Sequence, residues 1–533
     1  MLKTCKVNWI LGVFALVAFM ALIPVQSQAV NMSYGDWELD GFFRNNSGVW
    51  MESWDYAPNQ DPLATFRNWF RLNLNGAISD NLRLKVETLA IYEPEYDREE
   101  GSGVPANYYN SFDFRECRLD WRVANGHNLR IGKQIVNWGE ALAFRVGDVI
   151  NPVDARFDLG FTNLEDTRMP IWMLRGMHQF YNIGTSLDWI FSPYLEPKRY
   201  RVSRTLAWNP GKMDASGNNW NGVGESKFTP YPEWRFFGAN GKQYYADKVF
   251  GPVLWPAPNT SFGYIPSIDS YAFPLANFPV FDFDKYPGTS LSDARYGFKT
   301  SSTIYGTQTG VYFWRHHQDD GIDSTPPLEK KKGVNGAPDT YTYEYTRQNV
   351  FGFYANKNFD FGVLRTDMTF KPNLRFQTMR EDLHPNLVTK CDQLKVQVGY
   401  NKDFMIRKLN PDQTFGLILE YVGTYITSGD TDGATFAFPW YTKLSRDDHN
   451  FMASLGTNYN FGMYATDLVC IYNPRDTQAL IQPSFTYNPD WMNGKWSFKL
   501  QYSALISDSN FAYPFGLAEE KDLVVLTTQF SFP

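Results

Sequence analysis

The chain has 533 residues, of which 43% are hydrophobic and 17% aromatic, with 40 glycines and a formal net charge of −7 at pH 7. The negative charge makes nucleic acid an unfavourable partner, and the 4 cysteines have no spacing that suits a disulfide framework or a zinc site. Beyond residue 30, no apolar run reaches the roughly 18 residues that a membrane-spanning helix requires.

Residues 1–29 have the three parts of a secretory signal peptide. Lys3 and Lys6 precede a short apolar stretch, and small residues follow it up to Ala29. A cleaved signal is favoured over a retained membrane anchor, because the apolar stretch is short and ends in a small-residue site. The pattern predicts export and a mature chain of residues 30–533.

Polar and apolar residues alternate with a period of two along most of the mature chain. In the segment 81–92, for example, Leu82 and Leu84 fall on one face and Arg83 and Lys85 on the other. This period is typical of β-strands with one apolar and one polar face. The charged residues that the alternation places on the polar face are Arg83, Lys85, Glu87, Arg118, Arg122 and Arg130.

The connections between the alternating segments favour a membrane barrel over a soluble β-sandwich. The segments run to about ten residues and are joined by short and long connections in turn, as in outer-membrane barrels with short periplasmic turns and long external loops. We therefore predict an all-β fold, a transmembrane antiparallel β-barrel of about 18 strands. Sixteen is the alternative count, because 293–316 and 473–488 alternate least clearly.

A charged segment follows the strand predicted at 129–137. In porin-type channels, a loop folded into the barrel narrows the passage with charges of both signs, and residues 138–169 are our candidate for such a constriction loop. The alternative is an external, solvated loop whose charges compensate each other. The residues of the candidate constriction are Trp138, Glu140, Arg145, Asp148, Asp154 and Arg156.

The same region resembles a known family. The motifs are Gly132-Lys133-Gln134, Trp138-Gly139-Glu140, Asn151-Pro152-Val153-Asp154 and the segment PIWMLRG at 170–176. They are similar to the signature of a large outer-membrane family known by the label DUF1302, although Lys133 stands where arginine is commoner. The resemblance implies a porin-like barrel, and it implies a periplasmic lipoprotein or a hydrophobe exporter as a partner. It implies no particular solute.

Residues 205–290 interrupt the alternation. They contain ten of the 31 prolines and many aromatic residues, and the aromatic content argues against disorder. Long insertions of this kind are usually functional or disordered. We predict an ordered external loop that caps or plugs the barrel, with a surface decoration unrelated to transport as the alternative.

Motifs for catalysis or for metal binding are weak. The chain has no nucleophile-elbow, phosphate-loop or zinc-protease motif, so we predict no enzyme, no cofactor and no metal site. Acidic residues after His317 and the Asp430-Thr431-Asp432-Gly433 stretch resemble a fragment of a calcium loop. Both stretches fall in predicted external loops, where acidic clusters are usually solvated.

These observations together predict a channel or facilitator in the outer membrane, in contact with the lipid bilayer and lipopolysaccharide. The solute class that suits an aromatic-rich loop above a charged constriction is a small organic molecule, amphipathic or aromatic. The alternatives are an adhesin or structural barrel with a blocked lumen and, less favoured, an outer-membrane hydrolase. Single-channel conductance separates a channel from a blocked barrel.

Overall fold

The structure is a computed structural model, and it describes most of the chain between residues 36 and 532. The described ranges are 36–51, 63–94, 111–152, 164–193, 291–318, 346–378, 380, 382–431, 444–492, 494–508 and 522–532, with short pieces at 263–265, 270–272, 280–282, 328–332, 340–343 and 434–435. The predicted signal peptide and nearly all of the predicted cap or plug at 205–290 lie outside these residues.

The described residues form 18 barrel strands. In chain order they are β1 (Trp37–Trp50), β2 (Leu63–Ser79), β3 (Leu82–Tyr92), β4 (Ser111–Ala124), β5 (His127–Gln134), β6 (Ile171–Phe180), β7 (Thr185–Ser192), β8 (Arg295–Ile304), β9 (Thr307–His317), β10 (Arg347–Phe359), β11 (Gly362–Thr378), β12 (Val388–Phe404), β13 (Phe415–Gly429), β14 (Asp447–Tyr459), β15 (Tyr464–Asn473), β16 (Gln478–Tyr487), β17 (Trp496–Ile506) and β18 (Leu523–Phe532).

The sheet is closed. Each strand pairs antiparallel with its neighbour along the chain, and the first strand pairs with the last, so that Gly41 lies opposite Phe532 and Val49 opposite Val524. Closure removes the two free edges that an open sheet would expose. The predicted fold class is confirmed with 18 strands rather than sixteen, since both weakly alternating segments are barrel strands.

The two faces of the strands differ in polarity in the sense expected for a barrel in lipid. On β4, Leu119, Trp121 and Val123 point outward and are 36%, 47% and 49% exposed. On the inward face, Glu87 and Glu116 are buried. An apolar exterior around a polar interior is the reverse of a water-soluble protein and is characteristic of transmembrane barrels.

Connections differ in length at the two ends of the barrel. Two-residue turns join β2 to β3, β4 to β5, β8 to β9 and β10 to β11, and both described chain ends lie at this short-turn end. The longest connections lie at the opposite end, between β5 and β6 and between β7 and β8. The connection between β15 and β16, residues 474–477, is short although it lies at the long-loop end.

Aromatic rings cover the outer surface near the short-turn end. Such girdles mark the depth at which the membrane meets water. Neighbouring pairs, with the distance between ring centroids, are Phe359–Phe361 at 4.9 Å, Tyr464–Tyr487 at 5.3 Å and Trp496–Phe530 at 5.0 Å.

Several strand ends differ from the sequence prediction; β11, for example, continues to Thr378 rather than residue 371, and β10 begins later than the predicted residue 342. Strand β5 ends at Gln134 rather than residue 137, because the amide of Val136 donates to the side chain of Asn151 instead of to a neighbouring strand. Strand β10 begins at Arg347, since Thr340–Tyr343 pairs with Leu328–Lys331 in a separate small sheet. Among the described residues, no helix is long and apolar enough to cross a membrane.

The closed sheet predicts unusual resistance to detergent. Unheated protein in sodium dodecyl sulfate should migrate faster on a gel than boiled protein, because every strand is hydrogen-bonded on both sides and the barrel opens only as a whole. Semi-native electrophoresis of the purified outer-membrane fraction measures this directly. Equal mobility of the heated and unheated samples would contradict a closed barrel.

Candidate functional site inside the barrel

Residues 135–152, here called the inward loop, leave the end of β5 and fold into the barrel. At one side of the barrel the loop is hydrogen-bonded to Asp188 on β7. At the other side its apolar residues belong to the same buried cluster as Leu505 on β17. A segment this short can reach both of these strands only from the interior of the barrel. Residues 138–152 of the predicted loop are therefore not a solvated external segment.

Trp138 lies at the start of the inward loop, against the barrel wall. Its ring is almost completely buried and packs edge-to-face on Trp314, with ring centroids 6.1 Å apart. Its indole N–H donates to Asp188 Oδ2 at 3.0 Å, and its carbonyl oxygen accepts from Lys299 Nζ at 3.0 Å. Packing and hydrogen bonds together hold the beginning of the loop to strands β7, β8 and β9.

Asp367 on β11 is the first of two wall carboxylates that anchor the loop backbone. Its Oδ2 accepts from the amides of Glu140 and Gly147, at 3.1 and 3.0 Å, and its Oδ1 accepts from the Tyr312 hydroxyl at 2.9 Å. A Cβ at Gly139 or Gly147 would collide with this carboxylate. The two glycines are thus needed for the close approach of Asp367 to the loop.

Glu420 on β13 is the second anchor. Its carboxylate accepts from three consecutive amides of the loop, those of Leu142, Ala143 and Phe144, at 2.9, 3.2 and 3.1 Å. The side-chain amide of Gln397 donates to the same carboxylate at 3.2 Å. Hydrogen bonds to an ionised acceptor contribute about 1.5–3 kcal/mol each, so the two carboxylates account for much of the loop's fixation.

The tip of the loop is apolar and covers an apolar patch on the inner wall. Ala141, Ala143, Phe144 and Val146 are buried in this cluster. The wall side of the cluster comes from strands β13 to β17 and consists of Val422, Met452, Ile471, Leu480 and Leu505. An apolar patch in contact with water is unfavourable, and the loop tip covers this one.

Arg145 and Asp148 cross-link the loop internally. Arg145 Nη2 donates to the carbonyl oxygen of Asp148 at 2.7 Å, and Arg168 Nε donates to Asp148 Oδ2 at 2.7 Å. All three side chains are largely buried. The Arg145 guanidinium is therefore committed to the loop's own groups, and it acts as a positioning residue for the turn that it closes.

Asn151, from the Asn-Pro motif, ties the two ends of the loop together. Its Oδ1 accepts from the amide of Val136 at 2.7 Å, and its Nδ2 donates to the carbonyl oxygen of Met169 at 2.7 Å. Asp154 and Arg156, the other two charged residues of the candidate constriction, lie outside the described residues.

Glu140 is held on the side of the loop that faces β10 and β11. Its carboxylate accepts from Asn356 Nδ2 at 3.1 Å, and its carbonyl oxygen accepts from Arg365 Nη1 at 3.1 Å. Among the six candidate constriction residues, the structure thus brings Trp138, Glu140, Arg145 and Asp148 together inside the barrel.

The charged residues assigned to the polar face point into the lumen on strands β3 to β5. Lys85 lies opposite Arg118 and Arg83 opposite Asp120 in the β3–β4 ladder, and Arg130 lies opposite Asp120 in the next ladder. Arg122 faces inward at the short-turn end and is exposed. These residues line the side of the lumen that residues 138–147 do not cover.

The wall residues that hold the loop were not predicted from the sequence. They are Tyr312, Lys299, Arg365, Asp367 and Glu420. Alternation does place Asp367 and Glu420 on inward faces, but nothing local relates them to a loop more than two hundred residues away. A signal that could have found Glu420 is an acidic residue between apolar neighbours on an inward face, here Ile418 and Val422.

In the part of the chain that the structure describes, no group of three or more His, Cys, Asp or Glu side chains could hold a metal ion. The loop and its anchors use carboxylates to accept hydrogen bonds from amides and hydroxyls, which is a structural use. Such an arrangement can narrow the lumen of the barrel and place charged groups beside it.

Comparison with known proteins assigns the chain to a family. The family model described as a protein of unknown function, DUF1302, matches residues 36–532. OccAB3 of Acinetobacter baumannii is similar in structure, with 8% identity, a TM-score of 0.45 and coverage of 93% of this chain and 99% of that one. A BenF-like porin from Pseudomonas fluorescens Pf-5 has 9% identity, a TM-score of 0.45 and coverage of 93% and 98%.

A third structure, OccD3 of Pseudomonas aeruginosa, is 10% identical with a TM-score of 0.43, over 95% of this chain and 93% of that one. No curated protein matches the sequence. At such identities the likeness concerns the fold alone, and it carries no information about solutes.

Proposed function

The chain belongs to the DUF1302 family, and from that premise we propose that it is an outer-membrane channel for small organic molecules. The inward loop is the constriction, and amphipathic or aromatic solutes pass beside it. We further propose that it lies in an outer-membrane bilayer with lipopolysaccharide, and that a periplasmic lipoprotein or a hydrophobe exporter, as the family resemblance implies, is its partner.

One observation carries the proposal. Residues 138–147 pack against strands β7 to β17, while charged side chains on the opposite wall stay partly exposed to the lumen, such as Arg71 at 31% and Arg130 at 29%. A barrel of 18 strands is wide enough for an aqueous passage. A loop fastened to one side of so wide a barrel narrows the lumen and leaves room along the other side.

The way in which the loop is anchored supports a constriction with a fixed position rather than a loop that merely fills space in the lumen. Asp367 and Glu420 hold the loop through its backbone amides, so that the loop keeps its position whichever side chains it presents. Its exposed side chains include Leu142 and Asn137, and these would meet a solute in the passage. Preorganised walls of this kind favour selective passage, because little conformational entropy is lost when a solute enters.

Single-channel recording of the purified, refolded protein in planar lipid bilayers tests the proposal. Discrete open steps in 1 M potassium chloride are expected, with a conductance smaller than that of a barrel from which the loop has been removed. Silent bilayers, with barrel insertion shown by heat-modifiable mobility of the same sample, would contradict a channel. They would favour the blocked structural or adhesin barrel.

A further inference from the structure

Cationic side chains dominate the lumenal wall formed by strands β2 to β5. The inward-facing cations, from the middle of the barrel to the short-turn end, are Arg71, Lys85, Arg118, Arg130, Arg83 and Arg122. The acidic residues interleaved with them are fewer, namely Glu87, Glu116 and Asp120. We call this set the cationic wall.

Two of the three acids of the cationic wall, Glu87 and Glu116, lie behind the cations, whereas the Asp120 side chain is as exposed as that of Arg130. The Glu87 and Glu116 side chains are only 2% and 8% exposed, whereas those of Arg71 and Lys85 are 31% and 25% exposed. Arg71 Nε lies 2.9 Å from Glu87 Oε1, and both Lys85 and Arg118 form ion pairs with Glu116. The buried carboxylates therefore position the cations, and the cations face the lumen.

The exposed cations keep hydrogen-bond donors to offer. A guanidinium carries five N–H donors and an ammonium three, and one or two contacts to a carboxylate use only part of them. Arg130, for example, forms its ion pair with Asp120 through Nε, at 2.9 Å from Oδ1. Planar forks of N–H donors match the oxygens of carboxylates and other oxyanions.

The cationic wall extends from the middle of the barrel to its short-turn end. Arg71 lies at the middle of β2, Lys85 and Arg118 lie opposite each other nearer the short turns, and Arg122 lies opposite Asn128 next to the turn that joins β4 to β5. Successive cations thus follow one another along the passage beside the inward loop.

We propose that the cationic wall is a binding track for small organic oxyanions, which makes the channel selective for amphipathic solutes bearing a carboxylate or sulfonate. The inference rests on the proposed channel function and specifies its solute class. The anionic group moves along the cationic wall, exchanging donors between neighbouring cations. The apolar part of the solute lies towards the inward loop, where Leu142 is exposed.

The test uses permanently charged aromatic ions of similar size, benzenesulfonate and benzyltrimethylammonium, in planar bilayers. With a gradient of sodium benzenesulfonate, the reversal potential of the wild-type channel should give a higher permeability for the anion than for sodium. With benzyltrimethylammonium chloride, chloride should be the more permeant ion. A preference that follows charge, and not the aromatic ring, is what the cationic wall predicts.

The variant Arg71→Gln/Arg130→Gln removes two exposed cations. The anion-to-sodium permeability ratio should fall about threefold per cation, and so about tenfold in total, as expected for unit charges roughly 6 Å from the solute in watery surroundings. Glu87 keeps its ion pair with Arg115, and Asp120 keeps that with Arg118, so the barrel should assemble. Heat-modifiable mobility checks assembly.

Lys133→Gln is the matched control. Lys133 is on the same strand as Arg130 and also forms an ion pair, with Asp113 at 2.9 Å, but it shares the outward register of Ile131 and Trp172. Its removal should leave the permeability ratio unchanged.

Three outcomes would overturn the inference alone: a wild-type ratio at or below one, an unaltered ratio in Arg71→Gln/Arg130→Gln, or an equal fall in Lys133→Gln. A wild-type barrel without open steps would overturn the channel itself, and the track with it.

Discussion

Deleting residues 141–150 should raise the single-channel conductance roughly twofold or more, because the barrel is wide enough for a channel and the inward loop occupies part of it. The deletion removes the apolar tip and the amides that bind Glu420. It leaves every strand pairing of the barrel intact, and loops tolerate such changes better than strands do. The measurement is conductance in potassium chloride, on protein with normal heat-modifiable mobility.

A second variant keeps the loop and weakens its anchors. In Asp367→Asn/Glu420→Gln, neutral amides replace the two carboxylates that accept loop amides. The loop should then leave its place intermittently, and the open channel should fluctuate between the wild-type level and the higher level of the deletion.

The matched control for the anchors is Asp392→Asn. Asp392 lies on β12 and accepts from the amide of Asn373 and the hydroxyl of Ser428, not from the inward loop. The conductance of this variant should match that of the wild type.

Unaltered conductance in the variant that lacks residues 141–150 would refute the constriction and would leave residues 205–290 as the better candidate for the gate.

Replacing Leu500 with arginine should destabilise the barrel by roughly 2–4 kcal/mol, the cost of a cationic side chain near the middle of a bilayer. Leu500 lies in the middle of β17, is 51% exposed on the outer surface, and is flanked by the exposed Phe485 and Leu526. Its surroundings in the membrane are therefore lipid. Urea titration of the protein folded into liposomes measures the change in the free energy of unfolding.

The neighbouring Gln501→Arg change is the internal control. Gln501 faces the lumen, since successive residues of a strand point to opposite sides. An arginine there meets water and polar side chains, and its effect should stay within about 0.5 kcal/mol, as for most surface substitutions. Equal destabilisation by the two variants would mean that the inner and outer faces have been exchanged.

Much of the barrel could be predicted from the sequence because adjacent residues of a strand point to opposite faces, so that their polarity identifies the two faces. Leu82 and Arg83 differ in polarity because one meets lipid and the other meets the lumen, and this difference is local. The number of strands and the inward-facing residues of the cationic wall follow from it, whereas the short connection at 474–477 does not fit the predicted parity of the connections. The end of β5 could not be predicted in this way, because the amide of Val136 donates to the side chain of Asn151, which lies outside the strand.

The sequence by itself determined that residues 138–169 carry charges of both signs beside a strand end, and that Gly139 and Gly147 stand among them. It left open whether that segment is solvated or lies in the lumen. Only the tertiary structure decided this for the described residues 138–152, because the deciding partners are Asp367 and Glu420, on strands β11 and β13. Hydrogen bonds between an amide and a distant carboxylate depend on barrel closure, which brings strands far apart in the chain around one lumen. The periodicity within the loop or within a strand carries no information about which distant strand the loop will contact.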